Sequence, residues 1–145
     1  NIWLDALKSF DIIEIFKGFY LSKPVTCKNC GHTFTKMEEK KTDVNISVQM
    51  LTDCFQKKVD VIFLVTGDTD LVPPLKMIRK NFPHIWIIIL SPPKRQNNEL
   101  KDKSISHHYL TIGKAKIRKY QLSNTITLKN GVNISKPEEW SDPES

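Results

Sequence analysis

The stretch Val61-Ile62-Phe63-Leu64-Val65-Thr66-Gly67-Asp68-Thr69-Asp70 decides the reading of this chain. The almost unbroken apolar, β-branched run from Val61 to Thr66 predicts a strand covered on both faces. Gly67 lets the backbone turn tightly, and two carboxylates one residue apart follow it. Strand ends are where open α/β sheets place their chemistry. Pro73 and Pro74 come next and fit the first turn of a helix. That helix carries Leu75, Ile78 and Phe82, and Asn81 and Pro83 stop it.

Working outward, Thr42 to Lys57 reads as a helix with Val44, Val48, Leu51 and Phe55 on one face. Thr42 is its expected N-cap, and Asp43 lies in the first turn, where the helix dipole favours a negative charge. Ile85 to Leu90 reads as a second buried strand, with Trp86 in the core. A polar, basic loop, Ser91 to Asn98, follows, then a short helix to Lys103, a strand over Tyr109 to Ile112 and a basic helix over Lys114 to Tyr120. Upstream, Ile2 to Phe10 has helical spacing, Ile12 to Tyr20 reads as a strand, and Pro24 to Thr35 reads as a loop. Asn130-Gly131, between Ile126/Leu128 and Val132/Ile134, is a hairpin signal. Strands alternating with amphipathic helices predict an α/β fold with a mostly parallel sheet, helices on both faces and right-handed crossovers. The expected organisation is one domain over residues 1–122 and a tail over 123–145.

At 145 residues the chain is long enough for one real core. A formal charge of +6 favours nucleic acid or anionic surfaces as partners. The longest apolar run, Ile85 to Leu90, is far too short to span a membrane. Asn1 to Asp5 has neither a basic start nor a long apolar run, so no leader is expected and the expected location is cytoplasmic. Three cysteines make an odd count and imply no disulfide framework.

Asp68 and Asp70 sit just past a strand, and Asp43 at the head of the preceding helix faces the same crevice. Hard cations such as Mg²⁺ or Mn²⁺ take oxygen ligands of this kind. On a phosphodiester they polarise a phosphoryl oxygen, activate water and assist the leaving alkoxide. The plainer alternative is that Asp68 or Asp70 only caps the next helix. Lys94, Arg95, Asn97 and Asn98 follow a strand's carboxyl end beside this crevice and suit backbone phosphates. Lys114, Lys116, Arg118 and Lys119 form a second basic run, read as a solvated helix face. His107 and His108 read as structural or surface histidines.

Cys27 and Cys30 have the spacing of a metal knuckle, with His32 close by. Structural zinc takes four ligands, usually as two such pairs. A second pair is absent, and Cys54 reads as core. Zn²⁺ at this loop would draw further ligands from elsewhere in a longer chain, from a partner chain, or from His32 and another histidine. A plain loop is the alternative.

Three segments carry a family resemblance: Glu38-Glu39-Lys40-Lys41-Thr42-Asp43-Val44, Thr66-Gly67-Asp68-Thr69-Asp70-Leu71-Val72-Pro73, and Asn98-Glu99-Leu100. Together they resemble a bacterial NYN domain, a branch of the PIN-like nuclease superfamily. The resemblance covers roughly residues 1–122, and the tail ending in Pro137-Glu138-Glu139-Trp140 is also similar. It implies a PIN-like three-layer α/β/α fold, metal-dependent endoribonuclease activity on RNA, and an acidic cluster at Asp43, Asp68 and Asp70. Thr66 stands where the family often has Ser, in position to hydrogen-bond a ligand carboxylate or a metal-bound water. The family's first acidic residue lies on an opening, central strand in an Asp-Gly-x-Asn type motif, and nothing here matches it. The expectation is therefore a partial chain of a longer nuclease. Alone, it would be inactive or unstable, or would complete its sheet with another copy as a homo-oligomer. The rival expectation is a non-catalytic RNA-binding or scaffold module of the same fold. Hydrolysis of a small phosphoester is a third.

Overall fold

The computed structural model describes residues 1–141; the last four residues of the expected tail lie outside the described residues. In chain order the first elements are helix α1 (Ile2–Lys8), strands β1 (Phe19–Thr26) and β2 (Thr33–Lys40), and helix α2 (Thr42–Phe55). Strand β3 (Val61–Val65), a single 3-10 turn (Thr69–Leu71), helix α3 (Val72–Asn81) and strand β4 (Trp86–Ser91) follow. After a second 3-10 turn (Glu99–Lys101) come β5 (His108–Thr111), α4 (Lys114–Lys119), β6 (Thr125–Thr127) and β7 (Asn133–Ser135), then a 3-10 turn at Glu138–Trp140. The chain divides into two units, residues 17–116 and residues 1–16 with the segment from Ile117 onward.

The larger unit is mixed α/β, as its alternating pattern predicts. Its parallel sheet has the order β3-β4-β5, with Val61 opposite Trp86 and Ile88 opposite His108. Ile62, Leu64, Ile87, Ile89 and Tyr109 share one face of this sheet. They pack with Met50 and Cys54 of α2 and Leu75 and Ile78 of α3. Each fully buried Leu or Ile here contributes about 1.5–3 kcal/mol of hydrophobic stabilisation. Pro73 and Pro74 sit in the first turn of α3, where no amide donor is needed.

Several expectations are corrected. The β3 run is not covered on both faces: Phe63 is 64% and Val65 is 59% exposed, because alternation turns them away from the helices. β3 also has no neighbour on its other edge among the described residues. The predicted apolar face of α2 is displaced. Val44, Val48 and Phe55 are exposed, and Met50 and Cys54 form the buried stripe with Ile46 and Leu51 against it. Both stripes fit a 3.6-residue period, so periodicity alone did not select between them. Trp86 is not core. It is half exposed and stacks on the His107 ring, with centroids 4.9 Å apart. His107 is structural: its Nδ1 accepts the Ile87 amide at 2.9 Å, and its own amide donates to the Ile87 carbonyl at 2.8 Å.

The expected strand over Ile12 to Tyr20 and loop over Pro24 to Thr35 are replaced by an antiparallel hairpin, β1–β2, from Phe19 opposite Lys40 to Thr26 opposite Thr33. Almost every residue of it is solvent-exposed, so no inside–outside alternation marks it. Pro24 is tolerated because every residue of a two-stranded ribbon lies on an edge strand.

In the smaller unit, Asn1 caps α1 by accepting the Trp3 amide at 3.1 Å. β6 and β7 form the hairpin that Asn130-Gly131 predicts. Trp3 and Trp140 meet edge to face, 6.5 Å between centroids. None of the described helices is long and apolar enough to cross a membrane.

Candidate metal centre

The site is assembled at the carboxyl edge of the parallel sheet. The chain leaves β3 at Thr66, whose amide continues the ladder by donating to the Leu90 carbonyl at 3.2 Å. The buried Thr66 hydroxyl accepts the Asp68 amide at 3.0 Å, and Asp68 Oδ1 accepts the Asp70 amide at 3.0 Å. Asp68 is thus the N-cap of the 3-10 turn and a member of the acidic cluster; neither Asp68 nor Asp70 caps α3, whose N-cap is Leu71 with no side-chain hydrogen bond.

α2 runs back from the sheet's carboxyl edge, which brings its first turn and Asp43 to the same place. One carboxylate oxygen each from Asp43, Asp68 and Asp70 lies within 4.8 Å of the others. Thr42 is the first helical residue and not the cap. The N-cap is Lys41, in the left-handed region at φ 75°, and the Thr42 hydroxyl donates to the Glu39 carboxylate. Desolvation first, then the charges of Asp68, Glu39 and Asp70, hold the Asp43 carboxyl above the ordinary Asp value. Glu39 is the residue that sequence reasoning left out. Its signal was an acidic residue at the end of a segment leading straight into the Asp43 helix.

Gly67 is required by close approach: a Cβ there would lie 2.8 Å from the Arg95 Cβ and closer still to the Arg95 carbonyl. This contact places the basic loop against the acidic turn, and Gly67, Asp68, Thr69 and Arg95 line a cavity of about 400 Å³. Lys94, Asn97 and Asn98 are not among its lining residues. Asn97 Oδ1 accepts the Glu99 amide at 2.9 Å, and Asn98 Oδ1 accepts from Lys101 Nζ at 3.3 Å. Lys94 is in the left-handed region at φ 60°. Cys27 and Cys30 are elsewhere, at the tip of the β1–β2 hairpin, and Cys54 is buried in the core as expected.

Three carboxylates without imidazole or thiolate are a hard donor set and suit a divalent cation of the Mg²⁺ or Mn²⁺ type. The raised Asp43 value has the same physical meaning. After desolvation, the carboxylates of Asp68, Glu39 and Asp70 raise it, and a bound cation would relieve that repulsion.

The sequence profile of the NYN domain matches residues 3–111, a span that holds the whole acidic cluster. The chain belongs to the NYN domain family. NYN domains are a branch of the PIN-like superfamily, whose nuclease-type fold agrees with the parallel sheet described above. A 62-residue segment is 40% identical to 6-hydroxy-3-succinoylpyridine 3-monooxygenase HspA of Pseudomonas putida (strain DSM 28022 / S16). That segment is 43% of this NYN chain and spans only a fifth of the relative's length. No solved structure matches the NYN chain significantly.

Proposed function

We propose that this NYN domain is the catalytic part of a metal-dependent endoribonuclease. The observation that carries the proposal is the convergence of Asp43, Asp68 and Asp70, with their oxygens within 4.8 Å of one another. These three residues would hold Mg²⁺ or Mn²⁺, which when bound polarises a phosphoryl oxygen and eases deprotonation of water. Thr66 holds the Asp68 amide and so fixes the turn. Arg95 supplies a cation beside the acidic turn, and with Lys94 would engage the RNA backbone phosphates. Asn97 and Asn98 would shape that loop through their local hydrogen bonds.

The test is cleavage of single-stranded RNA in Mn²⁺ by the full-length protein and by its Asp68→Asn variant. Cleavage by the wild type alone supports the proposal, and equal cleavage by both ends it. RNA binding without cleavage by either favours the non-catalytic module. The relative's name describes an oxygenase acting on a substituted pyridine, which supplies a further reading for this chain. The all-carboxylate donor set suits a hard cation of the Mg²⁺ or Mn²⁺ type, which favours the nuclease reading.

A further inference from the structure

The smaller unit holds a cavity of about 410 Å³, and every residue that lines it belongs to that unit. The volume falls in the range of small-molecule sites, roughly 300–1,000 Å³. Three aromatic side chains line it: Trp3 of α1, Tyr120 just past α4, and Trp140. Leu7, Ile126 and Ile134 are among its aliphatic lining residues. The planes of Trp3 and Trp140 stand 76° apart, so the two indoles form a corner. A planar ring stacked on one of them turns its edge to the other, and both are arrangements that aromatic rings prefer. Trp3 and Trp140 are each about half exposed, and Tyr120 more so. Aromatic surface left open around a concavity marks a binding site.

The charge at this cavity has one sign. Lys136 is the one charged side chain that lines it among the described residues. It is half-buried, and its Nζ donates to the Gln121 side-chain carbonyl at 3.5 Å. Lys119 Nζ stands 5.5 Å from the centroid of the Tyr120 ring, a second cation beside the aromatic wall. The unit's carboxylates lie outside the lining. Asp5 pairs with Lys8 and Asp11 with Lys129, and Glu14, Glu138 and Glu139 are not lining residues. The side-chain amides of Gln121 and Asn124 add donors and acceptors to the same wall.

A purely aliphatic ligand would leave the lysine and the two amides unused. A planar heteroaromatic ring carrying an anion uses the corner, the amides and the lysine together. We propose that this cavity binds one nucleotide, with its base in the corner of Trp3 and Trp140, the Gln121 and Asn124 amides at the base edge, and its phosphate at Lys136. Stacking on aromatic rings tolerates every base, so ring and phosphate matter here more than sequence. The nucleotide belongs to a single-stranded RNA or is a free mononucleotide. The first source rests on the nuclease reading, and the second does not.

The test uses the full chain in chelator, where no metal-dependent cleavage interferes. Heteronuclear NMR follows the indole N–H signals of its three tryptophans. Trp86 lies in the other unit and is the internal control. Adenosine monophosphate should shift the Trp3 and Trp140 signals and leave Trp86 in place. Adenosine and ribose phosphate, each one half of the ligand, should bind at least about fivefold more weakly. Trp140→Leu and Lys136→Gln should each weaken the mononucleotide by a similar factor, with an unchanged circular dichroism spectrum. No shift at Trp3 and Trp140, equal affinity for adenosine, or full affinity in Lys136→Gln would each overturn the nucleotide site. A short single-stranded oligoribonucleotide that reaches the same two signals more tightly than the monophosphate assigns the site to RNA. One that reaches them more weakly assigns it to free nucleotide. Failure of RNA cleavage with these shifts intact would end the nuclease reading alone.

Discussion

The Thr66 hydroxyl accepts the backbone amide of Asp68 at 3.0 Å, so the last residue of the strand run holds the first residue of the acidic turn. Thr66 is itself buried and tied to β4 through the Leu90 carbonyl. The core of the sheet thus sets the position of Asp68. Removing the hydroxyl should loosen the turn without unfolding the sheet. For Thr66→Val we expect Mn²⁺ affinity to fall by ~10-fold or more, the lower end of what lost outer-shell support costs a metal site. Thr66→Ser should retain it. Isothermal titration with Mn²⁺ reads both, and equal affinity in all three proteins would show that the hydroxyl does not position the site.

A pH dependence follows from Asp43. Its folded-state value is raised above 3.8, by desolvation first and then by Asp68, Glu39 and Asp70. A raised carboxyl contributes stability that is fully present below its unfolded value and is lost as pH rises through the folded one. In chelator, the cluster should therefore weaken the fold as pH climbs through the carboxylate range toward neutrality. Asp43→Asn should reduce that pH dependence, and Mn²⁺ should stabilise the wild type more at pH 7 than at pH 4. Thermal melts with and without Mn²⁺ at both values decide it. An Mn²⁺ effect that does not depend on pH would count against a carboxylate site.

Much of this arrangement was legible in the sequence. Val61 to Thr66 announced a strand through its run of β-branched and apolar residues, although only the Ile62 and Leu64 face is packed, and Pro73-Pro74 announced the start of α3. Asp43, Asp68 and Asp70 were legible because strand ends and helix starts meet at one edge of such a sheet. The hairpin was not legible: its residues face water on both sides, so no period of two was imposed on them. The buried stripe of α2 was misread because Val44, Val48 and Phe55 make an equally good apolar face that the described residues leave exposed. Glu39, read only as part of a family segment, was not placed in the site because its nearness to Asp43 depends on Lys41 turning left-handed at φ 75°.

The two faces of β3 should respond differently to mutation. Leu64 is buried among the core side chains and Phe63 points to solvent. Leu64→Ala should cost about 2–5 kcal/mol, the range for a buried leucine truncated in a packed core. Phe63→Ala should stay within roughly 0.5 kcal/mol, as exposed substitutions do. Urea unfolding measures both. A large loss from Phe63→Ala would mean that this face is covered in solution.

Gly67→Ala should disrupt the site and spare the core. The new methyl group would collide with backbone and Cβ of Arg95, neither of which is a flexible side-chain end. Either the basic loop or the acidic turn must shift. We expect weakened Mn²⁺ binding, with a circular dichroism spectrum like that of the wild type. Unchanged Mn²⁺ affinity would show that the cluster does not depend on the contact between the two loops.

His107 gives the fold an acid-sensitive joint. Its Nδ1 accepts the Ile87 amide at 2.9 Å, which a protonated ring cannot do. Desolvation first, then the charges of Arg79 and His108, hold its value below 6.5. A lowered value contributes stability that is present above the unfolded value and is lost as pH falls toward and through the folded one. Acidification below about pH 6.5 should therefore weaken the β4–β5 junction, since protonation sets the ring against the Arg79 guanidinium and removes the acceptor for Ile87. His107→Asn places an amide oxygen near the Nδ1 position and cannot titrate. It should be less stable than the wild type at pH 8, because the stacking on Trp86 is lost, and its stability should fall less steeply between pH 7 and pH 5. Urea midpoints across that interval give the two slopes, and parallel slopes would assign the acid sensitivity to another group.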